Sequence, residues 1–473
     1  MELKQKQVDY YFPKGFWWGS ASSATQMEGA AKLGNKGPNI WDYWYETEPN
    51  RFFNEVGPEQ TSQFYDRYKS DIQLMKEVGH NSFRFSISWS RLIPNGNGDV
   101  NEQAIQFYND VIDELISKDI EPFVNLFHFD MPLSMQEMGG WESREVVEAY
   151  VRYAQRCFEL FGDRVKYWFT HNEPVVPVEG QYLYGFHYPA LCNFSKAVQA
   201  AFHEILASAK AIEIYKRMNL GGKIGIILNL TPSYPRSQHP SDVEAADRAD
   251  LLFNRSFLDP SVKGTFPKEL IEIIHSEGFT PVIKEGDLAV IKENTVSLLG
   301  INYYQPRRVK TKEHLSNPSA PFLPERYFDY YEMHGRKMNP YRGWEIYEKG
   351  IYDLLIDIKN NYHNIDCFIA ENGMGVENEE RFIGTDGSIE DDYRINFYKE
   401  HLKWVHKAIE EGVNVKGYHV WTFMDNWSWL NAYKNRYGLV SVNLADDYKR
   451  TVKKSGKWFR ELSDLNGFKD VTR

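Results

Sequence analysis

Short apolar runs rich in β-branched and aromatic residues recur along the chain, with stretches of helical periodicity between them. Eight such runs stand out: FWWGSAS from Phe16, SFRFSISW from Ser82, PFVNLFHF from Pro122, VKYWFTHN from Val165, KIGIILNL from Lys223, VSLLGINYY from Val296, CFIAENG from Cys367 and VKGYHVWTF from Val415. The segments between them carry helix boundaries. TSQFYDRYKSDIQLMKEVGH ends in a Gly-containing stop after a Lys/Glu-bearing last turn, and NEQAIQFYNDVIDELISKD opens on an Asn suited to cap the helix. Eight strands alternating with helices predict the α/β class and a closed (β/α)8 TIM barrel. An open doubly wound sheet is the structural alternative. It would normally place a Gly-rich phosphate turn after an early strand, and neither G-x-G-x-x-G nor G-x-x-x-x-G-K-[ST] occurs.

No low-complexity tract, Ser/Gly linker or block of like charge divides the sequence, so residues 1–473 read as a single barrel domain. The longest gaps between strands follow the first, fifth and sixth, where polar, Pro-rich stretches such as HLSNPSAPFLPERY are expected as loops over the barrel mouth.

Charge narrows the function classes. With 55 Lys+Arg against 66 Asp+Glu the formal net charge is −11, which disfavours nucleic acid as a partner because phosphate-backbone binding needs a basic surface. No stretch approaches a membrane-spanning length of apolar residues, and the first residues lack a signal-peptide core, so a cytoplasmic protein without membrane attachment is expected. Cys157, Cys192 and Cys367 are too few and too scattered for a disulfide framework or a zinc site. Aromatic residues make up 15% of the chain, which fits either a large core or a cleft lined with rings.

In a barrel of this kind chemistry sits where strands end, so polar residues there carry the reading. Strand three leads to His128, strand four ends in Asn172-Glu173, strand six in Asn302-Tyr303-Tyr304, strand seven in Glu371-Asn372 and strand eight in Trp421. One carboxylate at a strand end has an ordinary explanation as a helix cap or an Arg partner. Two, each adjoining an Asn and separated by 371 − 173 = 198 residues, would face each other across the mouth. That pair is what glycoside hydrolysis requires: a protonated acid for the leaving oxygen and an ionised group on the other side, about 5–5.5 Å apart for retention or about 6.5–9.5 Å for inversion. Metal hydrolysis is the competing use of acidic strand ends. The histidines show no H-x-H or H-E-x-x-H spacing, although His203-Glu204 begins like the latter, and no metal site is expected. The run Gly19-Ser20-Ala21-Ser22-Ser23 lacks the closing Gly of a nucleophile elbow.

These residues resemble glycoside hydrolase family 1, the retaining β-glycosidases. FWWGSASSATQMEGA, FRFSISWSRLIPNG, FVNLFHFDMP, FTHNEP, LLGINYYQP, FIAENGMG and GYHVWTFMDNWSW occur in the family's order over nearly the whole chain. The resemblance implies Glu173 of T-H-N-E-P as acid/base and Glu371 of A-E-N-G as nucleophile. It implies Arg84 and Tyr304 as partners that keep Glu371 ionised, and Gln26, His128, Asn172, Trp421 and Trp429 as the sugar-binding shell. No cofactor is implied.

Substrate class is read after strand eight. Family β-glucosidases carry D-N-F-E-W there, whereas this chain has Asp425-Asn426-Trp427-Ser428-Trp429. Serine in place of glutamate removes a charge that would repel a phosphate, and the region resembles the 6-phospho-β-glycosidases. Ser428 and Tyr437 are carried over as phosphate-binding; Asn435 stands where most of that group has Lys, so Lys434 is inferred as the cation beside it. The wording of GRKMNPYRGWEIYEKG, NAYKNRYG and KKSGKWF is most similar to the 6-phospho-β-glucosidases of bacterial glucomannan-utilisation systems, whose small-molecule substrate would be a phosphorylated cellobiose-like disaccharide. Trp429 keeps a 6-phospho-β-galactosidase or dual-specificity reading open, and a non-phosphorylated β-glucosidase and a non-catalytic carbohydrate-binding barrel stand as further alternatives. The rings Trp421, Trp427, Trp429, Tyr304 and Tyr437 fall in or beside the motifs where sugars are expected to stack; Arg307, Arg308 and the 318–342 segment are read first as exposed loop residues, with lining of the aglycone side as the alternative. Oligomeric state is left open by these residues.

Overall fold

A computed structural model describes residues 6–314, 317 and 319–472. Leu315, Ser316 and Pro318, in the stretch expected over the barrel mouth, lie outside the described residues.

The eight apolar runs form eight parallel strands: β1 (Trp17–Ala21), β2 (Ser82–Ser86), β3 (Glu121–Asn125), β4 (Tyr167–Asn172), β5 (Lys223–Asn229), β6 (Leu298–Asn302), β7 (Cys367–Asn372) and β8 (Val415–Trp421). They pair in sequence order and β8 closes onto β1, giving the (β/α)8 barrel that the alternation predicts. The expected helices are present. Phe64–Glu77 is followed by Gly79 in the left-handed region at φ 93°, a conformation that glycine adopts without a Cβ penalty. Glu102–Ser117 begins after Asn101, whose side chain accepts from the Gln103 N–H at 3.2 Å. Outside the barrel, the strand Lys6–Tyr11 pairs antiparallel with Gly467–Thr472 and ties the two ends of the chain together.

The lower part of the barrel is filled with carbon. Phe123, Phe169, Ile227, Leu298, Phe368 and Ala370 form one buried cluster, with Trp17 and Tyr167 packed against it. The rings of Phe123, Phe169 and Phe368 meet at centroid distances of 5.5–6.0 Å. His419 closes the layer, taking a 2.8 Å bond with the Ser82 hydroxyl. With the lower interior packed in this way, the strands' C-terminal ends are where polar side chains can gather.

Cys157 and Cys367 are buried thiols and Cys192 is exposed; none is in a disulfide. Among the described residues no helix is long and apolar enough to cross a membrane.

Candidate active site

The two glutamates reach the chamber because the strands that carry them break their own alternation. On β4, Phe169 points into the floor cluster, so strict period-two alternation would point His171 inward too. The β4–β5 register shifts between Phe169 and Asn172, and the inward position passes to Asn172. His171 instead packs among Phe127, Trp141 and Tyr150 on the helix side. On β7, Phe368 and Ala370 are inward, and a register shift between Ile369 and Glu371 against β6 transfers the next inward place from Asn372 to Glu371. Asn372 serves the wall: its amide donates to the Tyr303 carbonyl at 2.7 Å, and its oxygen accepts from the Tyr418 hydroxyl. Irregularities of this kind re-aim side chains at strand ends. Arg84 on β2 and Asn302 on β6 need none.

Three side chains, Arg84, Asn172 and Asn302, link the two carboxylates. The buried Arg84 guanidinium forms an ion pair with Glu371 and donates a second bond, 2.9 Å, to the Asn172 carbonyl oxygen. Asn302 donates from one amide both to that same oxygen, at 3.1 Å, and to Glu173 Oε1, at 2.8 Å. Tyr304 donates to the other oxygen of Glu371 at 2.6 Å. Asn172 in turn donates to His128 Nε2 at 3.1 Å.

The two carboxylates therefore differ in kind. Glu371 has a guanidinium and a phenol. Glu173 has one neutral amide and is buried in a backbone position at φ 47°. Burial, reinforced by the negative charge of Glu371, pushes the Glu173 carboxyl up to about 8, while Asn302 and Arg84 oppose the shift. Burial and the charges of Glu371 and Glu173 push the Tyr304 hydroxyl far up, so it remains a donor. Burial, helped by Arg84, holds His128 well below its usual value, which leaves a neutral imidazole able to accept from Asn172. A paired carboxylate beside a neutral carboxylic acid is the division of labour that acid-assisted nucleophilic displacement uses.

Of the residues expected in the sugar shell, Asn172 and His128 belong to the network just described. Trp421 packs with Ala21, Tyr437 and Tyr304, and its ring lies 6.1 Å from that of His128 at 27°. Trp429 is half-buried, 6.0 Å from His128 and 4.3 Å from the Trp41 ring, tilted to it by 33°. Gln26 donates to the Trp427 carbonyl at 2.8 Å while its backbone carbonyl accepts from Trp427 N–H at 3.0 Å, so it fastens the β8 loop to the β1 end.

The expected phosphate residues are less unified. Ser428 sits half-buried in a turn closed by its N–H to the Ala432 carbonyl, 2.8 Å. Tyr437 is buried; burial raises its hydroxyl and the nearby Arg342 guanidinium works against that rise. Lys434 is half-exposed, 3.5 Å from Glu377 and over the Phe53 ring. Asn435 is buried and directs its amide to the Tyr341 carbonyl at 3.4 Å.

Two expectations are corrected. Trp427 offers no face to a sugar: it is wholly buried, stacked on Phe52 at 5.6 Å, with its indole N–H donating to Val56 at 2.8 Å. Arg308, read as an exposed loop residue, is instead largely buried and engaged by Glu345 through bonds of 2.6 and 3.1 Å. The amino-acid sequence did not single out Asn302 as a partner of Glu173, nor Trp344 on the connection from β6 to β7, and it marked Arg342 only as the last residue of the 318–342 segment. The polar ending of β6 was the signal for Asn302. Among the described residues no three His, Cys, Asp or Glu side chains are grouped to hold a metal, and His203 instead bonds the Trp141 carbonyl at 2.8 Å.

Comparison with known proteins gives a consistent answer. The family model described as Glycosyl hydrolase family 1 matches residues 8–468. The chain is 70% identical over 459 residues to the 6-phospho-beta-glucosidase GmuD of Bacillus subtilis, covering 97% of this chain and 99% of that one. It is 39% identical to a 6-phospho-beta-galactosidase of Clostridium acetobutylicum, over 97% and 99% of the two chains. Among solved structures, the family 1 β-glucosidase from Thermotoga maritima superposes with a TM-score of 0.89 at 35% identity, over 98% of this chain and 100% of that one.

Proposed function

We propose that this chain, which belongs to glycosyl hydrolase family 1, hydrolyses 6-phospho-β-glucosides with retention of configuration at the anomeric carbon. The observation that carries the reaction is the unequal setting of the two glutamates, one ion-paired to Arg84 and the other neutral and raised to about 8. In the first step Glu173 gives its proton to the glycosidic oxygen as a Glu371 oxygen attacks the anomeric carbon. The bond to the leaving oxygen breaks, the aglycone departs as an alcohol and the sugar is left as an ester of Glu371. Tyr304 and Arg84 hold the attacking carboxylate in place through both oxygens. Esterification removes the charge on Glu371, which is the second cause of the raised Glu173, so Glu173 then ionises more readily. It takes a proton from water, the water oxygen attacks the anomeric carbon, and the ester bond to Glu371 breaks to restore both groups.

Two features support the phosphate. The relative with 70% identity is described as a 6-phospho-β-glucosidase. The wall after β8 also presents no free carboxylate in its motif: Ser428 is neutral, and Asp425 is paired with Lys453 at 2.9 Å and receives the Gly438 N–H at 2.9 Å. A phosphate dianion meets no repulsion there. The test compares p-nitrophenyl β-glucoside with its 6-phosphate. A kcat/KM larger for the phosphate by about 10-fold or more is expected from charge-assisted hydrogen bonds that the neutral sugar lacks. Equal or better turnover of the unphosphorylated sugar would overturn the substrate reading.

A further inference from the structure

Among the described residues, most basic groups on the wall that faces Ser428 and Tyr437 are neutralised by carboxylates. Lys434 is paired with Glu377. Arg394 and Lys453 share Glu379, Lys453 also holds Asp425, and Arg436 lies 3.8 Å from the same aspartate. Arg308 is fully matched by Glu345. Position 435, where the phospho-glycosidase pattern has a lysine, is a neutral asparagine turned to a backbone carbonyl.

Arg342 is different. It occupies the turn of a small hairpin in which Met338–Asn339 pairs with Trp344–Glu345. Its guanidinium carbon lies 4.3 Å over the Trp344 ring, and it reaches the side of Tyr437. Its Nε is shielded from solvent and has no hydrogen-bond partner. Among the described residues no carboxylate stands within ion-pair distance of it. A guanidinium desolvated along one edge and lacking a counter-ion is electrostatically incomplete, and a bound anion would complete it.

The hairpin is anchored at the chamber. Asn339 donates to the Gly375 carbonyl at 3.0 Å, in the loop just after Glu371. Gly375 itself has the Tyr437 ring so close that a Cβ there would fall 2.5 Å from it. Trp344 lies 5.3 Å from Tyr304, the donor to Glu371. Two aromatic rings thus separate the guanidinium from the nucleophile, a spacing suited to a substituent of the bound sugar rather than to its reacting carbon.

We propose that Arg342 is the cation that receives the 6-phosphate of the substrate, with the Tyr437 hydroxyl as its neighbouring donor, in the role that a lysine at position 435 would otherwise fill. This rests on the reading of the substrate as a 6-phosphoglycoside. A planar fork presents two parallel N–H donors to phosphate, and stacking on Trp344 fixes its plane before the ligand arrives.

The experiment measures kcat/KM for p-nitrophenyl β-glucoside and its 6-phosphate in the wild type, Arg342→Gln, Arg342→Lys and Lys434→Ala. Arg342→Gln is expected to lower the ratio of phosphorylated to unphosphorylated kcat/KM by about 10- to 100-fold, mostly through KM. Arg342→Lys should recover part of the ratio by restoring a point charge, and Lys434→Ala should move it less than Arg342→Gln does. A wild-type preference for the phosphate that survives Arg342→Gln overturns this assignment and leaves the substrate reading standing. A parallel fall on both substrates overturns it in favour of a purely structural loop role. A wild type without preference for the phosphate overturns both.

Discussion

Two levels of one barrel are built from the same strands to opposite rules. At the floor, β3 to β7 contribute Phe123, Phe169, Ile227, Leu298, Phe368 and Ala370, and the interior contains no charge in that cluster. At the mouth, β2, β4, β6 and β7 contribute Arg84, Asn172, Asn302 and Glu371, with Glu173 at the start of the following loop, and every one of these polar side chains is bonded to another. Apolar packing gains free energy from fit and loses it to any void, whereas the mouth leaves a carboxyl group buried where its charge is disfavoured. The floor is therefore expected to determine whether the protein folds, and the mouth what it does once folded. Substitutions at the two levels should leave different signatures.

The largest separation is expected at Glu371. Glu371→Gly removes the proposed nucleophile and should lower kcat on the order of 10⁴-fold or more; some loss of thermal stability should accompany it, because the buried Arg84 guanidinium loses its counter-ion. Added azide should partly restore turnover and yield the α-glycosyl azide, since it attacks from the face that the carboxylate vacates. A β-azide product, or no rescue, would count against the assignment. Glu173→Gln comes next, with a loss of about 10²–10⁴-fold for poor leaving groups and much less for 2,4-dinitrophenolate, which needs no proton. The wild-type kcat/KM should fall as pH rises through about 8, where the acid loses its proton, and Glu173→Gln should abolish that limb. Its effect on stability has the opposite sign. A carboxyl raised by folding binds a proton that the unfolded chain gives up above about pH 4.3, so it costs stability increasingly from there up to about pH 8. Glu173→Gln should therefore raise the melting temperature at pH 7, a gain that dwindles toward pH 4.

The floor should answer in the reverse order. Phe123→Ala deletes a ring that touches Trp17, Tyr167, Phe169, Phe368 and His419, and is expected to destabilise by about 3–5 kcal/mol. Protein that remains folded should keep kcat/KM within about 3-fold, the tolerance usual for a site away from the reacting groups. A specific activity loss matching that of Glu173→Gln, at unchanged stability, would show that the two levels are not separable.

The same contrast explains what the amino-acid sequence disclosed. All eight strands were legible because buried parallel strands are continuous apolar runs, and Glu173 and Glu371 were legible because they stand in polar breaks at the ends of such runs. How they face inward was not. Alternation from Phe169 and Ala370 points His171 and Asn372 into the barrel, and only the register shifts on β4 and β7 correct this. A bulge leaves no mark in hydrophobic periodicity. Trp427 illustrates the converse failure, because adjacency to Ser428 in sequence suggested a sugar platform while its stacking on Phe52 makes it core. Arg342 was hidden for a third reason: its contacts with Trp344 and Tyr437 join a turn on the β6–β7 connection to the loop after β8, and no local spacing encodes such a meeting.

The finest test of the mouth concerns Asn302, which holds Glu173 by one bond and Asn172 by another. Its amide donates to the Glu173 carboxylate, favours the ionised form and so opposes the rise that burial imposes. Asn302→Ala removes that donor. The alkaline limb of kcat/KM should move upward in pH, by about one unit at most given the worth of a single hydrogen bond to a charged group. Because Asn302 also donates to the oxygen of Asn172 that receives Arg84, its loss could instead act by letting Arg84 shift relative to Glu371. The two routes have distinguishable readouts. Loss of the direct bond moves the limb upward and leaves azide rescue in the Glu371→Gly background unaffected, whereas a displaced Arg84 alters rescue as well. A limb that stays fixed or moves downward would mean that Asn302 does not set the proton affinity of Glu173, and that the difference between the two carboxylates is made by burial and Arg84 alone.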